Sequence, residues 1–146
     1  MRKYTLALLF DQTKTQILLM KKSKPEWQKG KLNGIGGKIE ADETPLACIV
    51  REIQEETSIK LDPTTLTFIG NIGDHDWTMA VFTQIYQGST ADAQSLEAEP
   101  IAWFSIDALP KHTLANLRWM IPYALEFLDE GRLEPFSIIQ RSHTRE

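Results

Sequence analysis

The chain has 146 residues, 42% apolar and 9% aromatic, which is enough to fill a core and too much for a disordered segment. Lysine and arginine number 16 against 20 acids, giving a formal charge of −4 and a pI near 5.4. With no basic excess to neutralise a polyanion, duplex nucleic acid is excluded as a main partner, while a small anion remains within reach of a few local cations or a metal. The lone Cys48 excludes a disulfide framework and any multi-cysteine zinc site, and it agrees with a reducing compartment. No apolar run approaches the roughly 20 residues of a membrane span. The start MRKYTLALLF is cut off by Asp11 with no small-residue cleavage site after it, so it reads as a strand. These features predict one domain over residues 1–146, cytoplasmic and without a membrane partner.

In chain order, Tyr4 to Phe10 and Gln16 to Met20 are apolar runs around the turn formers DQTKT, which predicts a β-hairpin. KKSKPEWQKGK is a cationic loop. The stretch LNGIGGKIEADE carries Gly34, Gly36 and Gly37 around Ile35, a composition that turns sharply or lets backbone approach a neighbour closely. A helix is predicted from Thr44 to Ile59, with Thr44 as its N-cap and Pro45 at the first helical position. Leu46, Ile49, Val50 and Ile53 supply its buried stripe. Leu66 to Gly70 and Thr78 to Tyr86 read as strands joined through GDHDW, and QGSTADAQSLEAE as a loop. Ile101 to Phe104 is a short strand. Leu114 to Glu130 is a second helix, bent at Pro122 and stopped at Gly131, with Phe136 to Ile139 as an edge strand and SHTRE as a tail.

The segment REIQEE carries the chemistry. At about 100° per residue, Glu52, Glu55 and Glu56 fall within roughly 100° of arc beside the apolar stripe. Like charges at these spacings cost a few tenths of a kcal/mol per pair, so a cation is expected on that face. Ligation by oxygen alone points to a hard divalent ion, magnesium first and manganese second. A solvated acidic face would explain three glutamates by themselves; the residues around them argue otherwise.

Gly37, Glu43, Arg51, Glu52, Ile53, Glu55, Glu56 and Ile59 stand in the pattern G-x5-E-x7-R-E-U-x-E-E-x-G-U, where U is a bulky aliphatic. This string resembles the Nudix box. Six identities at fixed spacing arise by chance with odds on the order of 10⁻⁷ per start position. The family's glycine after the paired glutamates is Ser58 here, where a left-handed helix end would strain serine by roughly 1 kcal/mol. YTLALLF, MKK, NGIGGK and the later AWFSIDALP extend the likeness to about residue 110, and they resemble the MutT-type branch with its oxidised-purine nucleoside triphosphatases.

The resemblance implies an α/β fold, a Nudix-type α/β/α sandwich with a mixed β-sheet between helices. It implies Glu52, Glu55 and Glu56 as ligands of Mg2+ (or Mn2+), joined by the carbonyl of Gly36, with Glu52 also orienting or deprotonating the attacking water. It also implies an extra catalytic and metal-binding carboxylate, for which Glu97, at the matching distance before Trp103, is the candidate and Glu99 the runner-up, a solvated loop glutamate being the alternative for either. Arg51 and Glu43 belong to the scaffold that fixes the carboxylates. Lys38 and Gly37 would lie against phosphate, and Lys21 matches a substrate-contacting lysine. Asn33 matches a base-reading asparagine, since an amide donates and accepts together against a purine edge. Thr5 and Ile35 match pocket-lining positions. Alignment on Pro122 puts Asn116 and Leu117 where the animal-type enzymes carry two aspartates, and Trp119 is available to stack on a base or to join the core. Asp74-His75-Asp76 reads as a plain turn, and His112 and His143 have no partner at ligand spacing.

The leading expectation is a magnesium-dependent hydrolase that converts a nucleoside triphosphate, an oxidised purine among the options, to monophosphate and pyrophosphate. A second reading is a Nudix hydrolase of ADP-ribose, a dinucleoside polyphosphate or another nucleoside diphosphate derivative, favoured by the missing aspartate pair. A third, an idle nucleotide-binding module, fits less well because every box glutamate is retained. The expected partner is a small-molecule nucleotide, and the assembly a monomer or homodimer.

Overall fold

A computed structural model describes residues 1–131 and 133–141; the predicted tail, with His143, lies outside the described residues. Its centre is β1 (Arg2–Phe10), in which Thr5 through Phe10 are all buried. A strand can be apolar on both sides only if both sheet faces are covered. Leu6, Leu8 and Phe10 enter one core with Leu117, Met120, Ile121 and Ala124 of helix α2 (Ala115–Glu130). Ala7 and Leu9 enter the other, with Ile49 and Ile53 of helix α1 (Pro45–Thr57). The result is the expected α/β/α sandwich.

β1 pairs in parallel along its whole length with β6 (Trp77–Ile85). Its other edge is shared: β4 (Ile35–Lys38) runs antiparallel to Tyr4–Ala7, and β2 (Gln16–Lys21) joins at Phe10↔Ile17. Beyond β2 lie β3 (Leu32–Asn33) and β7 (Ile101–Ser105); beyond β6 lie β5 (Thr67–Gly73) and β8 (Phe136–Ile139). The glycine-rich stretch is therefore sheet rather than loop. It must carry glycine: a Cβ on Gly36 would lie 2.0 Å from the Thr5 carbonyl oxygen.

α1 begins as its sequence dictates, with the Thr44 hydroxyl accepting from the Ala47 amide at 3.1 Å and Pro45 in the first turn. It ends on Ser58 at φ 68°, the left-handed cap expected from the pattern, and the Ser58 hydroxyl donates to the Gln94 carbonyl at 3.1 Å. α2 runs through Pro122 to Gly131. Its start is fastened to β3 by backbone bonds, Leu32 N–H to the His112 carbonyl at 3.0 Å and Leu114 N–H to the Leu32 carbonyl at 2.9 Å. Among the described residues no helix is long and apolar enough to cross a membrane.

Candidate active site

The three glutamates of α1 are buried in graded order, and helix geometry explains the grading. Glu56 projects only about 20° from Ile49, Glu52 a further 40° or so and Glu55 a further 60° or so. Glu56 is 6% exposed, the Glu52 side chain 14% and the Glu55 side chain 49%. The acidic arc thus begins inside the apolar stripe instead of beside it. Burial, and next the neighbouring Glu52 carboxylate, push the Glu56 carboxyl up to about 9. Lys22 pulls in the opposite direction, and Glu97 adds to the rise.

Arg51 orders the outer two. Its Nη1 donates to Glu52 at 2.9 Å and to Glu55 at 3.1 Å, while Nε and Nη2 grip both oxygens of Glu43 at 2.7 and 3.0 Å. Nη2 also donates to the Lys38 carbonyl at 3.4 Å, which ties the helix to β4. The Arg51 hydrogen bonds, followed by the Glu40 amide, hold the Glu43 carboxyl down to about 2. The Glu52 carboxylate lies against the bare backbone of Gly37, where a Cβ would stand 2.4 Å from its carboxyl carbon.

These residues fit a hard divalent cation. Every donor is oxygen, and Oε2 of Glu56 is buried with no hydrogen-bond partner, an arrangement that costs free energy unless a proton or a cation meets it. The three glutamates do not form a tight cage as they stand, because Glu55 is turned outward onto Arg51. Among the described residues, three ligand atoms come within 4.8 Å of one another only at Asp74, His75 and Asp76. There Asp74 accepts from the amides of Asp76 and Trp77, as a turn between β5 and β6 does.

Of the extra carboxylates, Glu97 is exposed and close enough to act on Glu56, whereas Glu99 is 8% exposed and engaged by the Ser23 amide and by Lys22 at 3.8 Å. Burial opposes the charge on Glu99, but the Ser23 amide and Lys22 outweigh it and hold the carboxyl below its ordinary range. Lys22 was not anticipated from sequence. Strand alternation carries the signal: Ile17 and Leu19 face α2, so Lys21 follows them, while Leu18 and Met20 face α1, the side on which Lys22 meets Glu99 and Glu56. Lys21 itself is exposed at the end of β2.

Two residues expected to line a pocket lie inside the protein. Thr5 is 2% exposed, with its hydroxyl against Cys48 at 3.3 Å and the Gly37 carbonyl at 3.5 Å, and Ile35 is fully buried among the α1-side core. Both face α1 because their strands alternate that way. Lys38 is exposed at the end of β4, and Gly36 pairs with Leu6 inside the sheet. On α2, the Trp119 indole N–H donates to Asn116 at 3.1 Å and its ring meets Phe136 edge-on at 5.2 Å, so both side chains engage the protein itself. Asn33, half-buried on β3, accepts from the Gly34 amide at 2.8 Å and donates to Gln28 at 3.3 Å.

The NUDIX domain family model matches residues 1–123, and the chain belongs to the Nudix family. Its mixed sheet between two helices is the fold of that domain. Over 93 residues it is 32% identical to a Chromobacterium violaceum protein described as NAD-capped RNA hydrolase NudC, a match covering 64% of this chain and 35% of that protein. A Pseudomonas aeruginosa protein of the same description is 32% identical over 91 residues, covering 59% of this chain and 31% of its own. The chain therefore spans about a third of the length of these curated relatives. Among solved structures, the MutT NUDIX hydrolase from Burkholderia pseudomallei superposes with a TM-score of 0.70 at 23% identity, over 84% of this chain and 96% of that one. The NUDIX domain of Shewanella oneidensis NrtR, complexed with ADP ribose, gives 0.71 at 18% identity, over 86% and 87%. At these identities the likeness is one of fold.

Proposed function

We propose that the chain is a divalent-cation-dependent pyrophosphohydrolase that cleaves a nucleoside triphosphate, oxidised purines included, to the monophosphate and pyrophosphate. The observation that carries this reading is the buried, donor-less Oε2 of Glu56 beside Glu52 on a helix that also presents Glu55. Glu52, Glu55 and Glu56, with the Gly36 carbonyl and Glu97, would hold magnesium or manganese. Such an ion screens phosphate charge and lowers the pKa of its water when bound. Glu52, fixed by Arg51, is the carboxylate that orients the attacking water and takes its proton. Lys22 contributes positive charge at the rim of the acid cluster, and Asn33 reads the base.

The test is a panel of nucleoside triphosphates, 8-oxopurine forms among them, incubated with magnesium or manganese and resolved by product. Monophosphate and pyrophosphate are expected, with turnover reduced at least about a hundredfold in Glu52→Gln and Glu55→Gln, as for the loss of a group acting in the transition state. Absence of cation-dependent hydrolysis in every arm would overturn the proposal. A second reading, a hydrolase of a dinucleotide or ADP-ribose pyrophosphate, is favoured by the similarity to NudC and to the ADP-ribose-bound NrtR domain. NADH, ADP-ribose and diadenosine polyphosphates in the same panel separate the two.

A further inference from the structure

Charge is unevenly divided along this chain. Residues 21–31 hold five lysines against Glu26, and residues 111–118 hold Lys111 and Arg118 with no acid. These two segments carry a net +6 in a protein of net −4, so everything else carries −10. Backbone pairing brings them to one edge of the sheet. Leu32 pairs with Lys21, its N–H donates to the His112 carbonyl, and its carbonyl accepts from the Leu114 N–H. Arg118 reaches back onto the Pro110 carbonyl at 2.8 Å. Lys22 is engaged by Glu99, but Lys21, Lys24, Lys29, Lys31, Lys111 and Arg118 are exposed and form no ion pair among the described residues.

In the first of these segments Trp27 projects from the turn Glu26–Gln28 at 66% exposure. The other three tryptophans are half-buried, whereas the Trp27 indole has neither a ring partner nor a hydrogen bond among the described residues. An aromatic platform left in water and a row of uncompensated cations are the two parts of a single-strand surface, one for the π face of a base and one for the backbone. A duplex hides its base faces and answers only the second. A bilayer needs a wider apolar face, and no other large apolar side chain in these segments is exposed. One nucleotide presents one cluster of phosphates, whereas these six cations are spread over three neighbouring stretches of backbone. We propose that this edge binds a single-stranded polynucleotide, with a base stacked on Trp27 and the phosphodiesters along the lysines. Platform and cations meet features that RNA and DNA share. The binding requires no cleavage, so it is separable from the proposed hydrolysis.

The experiment is fluorescence anisotropy with labelled strands of oligo-uridine and oligo-thymidine, about 12 nucleotides long and without terminal phosphates, in EDTA. Both strands should bind with Kd of about 10⁻⁴ to 10⁻⁶ M at physiological salt, and affinity should fall as salt rises from about 50 to about 200 mM. Trp27→Ala should weaken binding about fivefold to a hundredfold, and Trp27→Phe, which keeps a stacking face, should recover most of it. Lys31→Ala and Lys111→Ala should each make the slope of log K against log salt shallower by about 0.7. Urea midpoints equal to that of wild type are expected, because all three side chains are exposed; should Trp27→Ala unfold, the lysine variants alone decide. Absence of binding to either strand overturns the inference, as does wild-type affinity in Trp27→Ala. So does a duplex of the same length, or uridine monophosphate, bound as tightly as the strand. Binding to phosphatidylglycerol vesicles without binding to the strand would assign the edge to a membrane surface instead, and overturns it too.

Discussion

Glu56→Gln isolates the electrostatic cost of the acid cluster. The native carboxyl is pushed from 4.5 up to about 9, by burial first and Glu52 second. In between, the fold retains a proton that the unfolded chain has released, so the unfolded state binds fewer protons and stability falls as pH rises. The contribution is complete below about 4.5 and is lost on the way to 9. At roughly 1.4 kcal/mol per unit, a change from about pH 5 to about pH 8 costs at most about 4 kcal/mol, and about 1–3 after local relaxation and water penetration. Glutamine preserves the shape and removes the titration. Urea midpoints in EDTA across this range should therefore slope downward for wild type and be flatter for Glu56→Gln. Adding magnesium at pH 8 should raise the wild-type midpoint well above that of the variant, because the ion replaces the proton. Parallel pH profiles for the two proteins would refute the placement of a desolvated acid at this position.

Gly37→Ala and Gly36→Ala should separate site from scaffold. The first collides with the movable end of Glu52 and should abolish most cation-dependent turnover with a stability loss under about 2 kcal/mol; the second collides with the Thr5 backbone and should cost about 3 kcal/mol or more, both read by urea unfolding alongside activity. At Ser58, φ 68° favours glycine, so Ser58→Gly should exceed Ser58→Ala in stability by about 1 kcal/mol, visible as separate thermal midpoints. The fully buried Cys48 thiol is raised to about 11, by burial foremost, and should react with a thiol reagent in the native protein far more slowly than in urea; equal rates would contradict its burial.

Local rules made most of the fold legible in sequence. Thr44 and Pro45 announce where α1 starts, the Ile49 and Ile53 stripe announces its inner face, and the two hairpin runs announce β1 and β2. The box spacing identified Glu52, Glu55 and Glu56 as neighbours. Sequence did not disclose which of the three would be desolvated, because that depends on how far the sheet reaches around the helix. Of the two readings of the glycine stretch, a sharp turn or a close backbone approach, the approach holds: Gly36 and Gly37 lie in β4, against β1 and Glu52, and Gly34 links β3 to β4. The burial of Thr5 and Ile35 was hidden for a related reason: similarity at a position does not say which side of a strand faces the helix. Gln28 has no motif at all, and its contact with Asn33 exists only once the intervening turn is built.

The double duty of β1 sets where this molecule can change length. Tyr4–Ala7 carries β4 on one edge and β6 on the other, so the strand that abuts Glu52 takes its alignment from the middle of the sheet. Inserting or deleting one residue there would swap the contents of both cores and at the same time pull the glycine backbone away from the acids. Variation in loop length is better accommodated in connections away from this strand, such as 58–66 and 106–114, which can lengthen or shorten without resetting any pairing of β1.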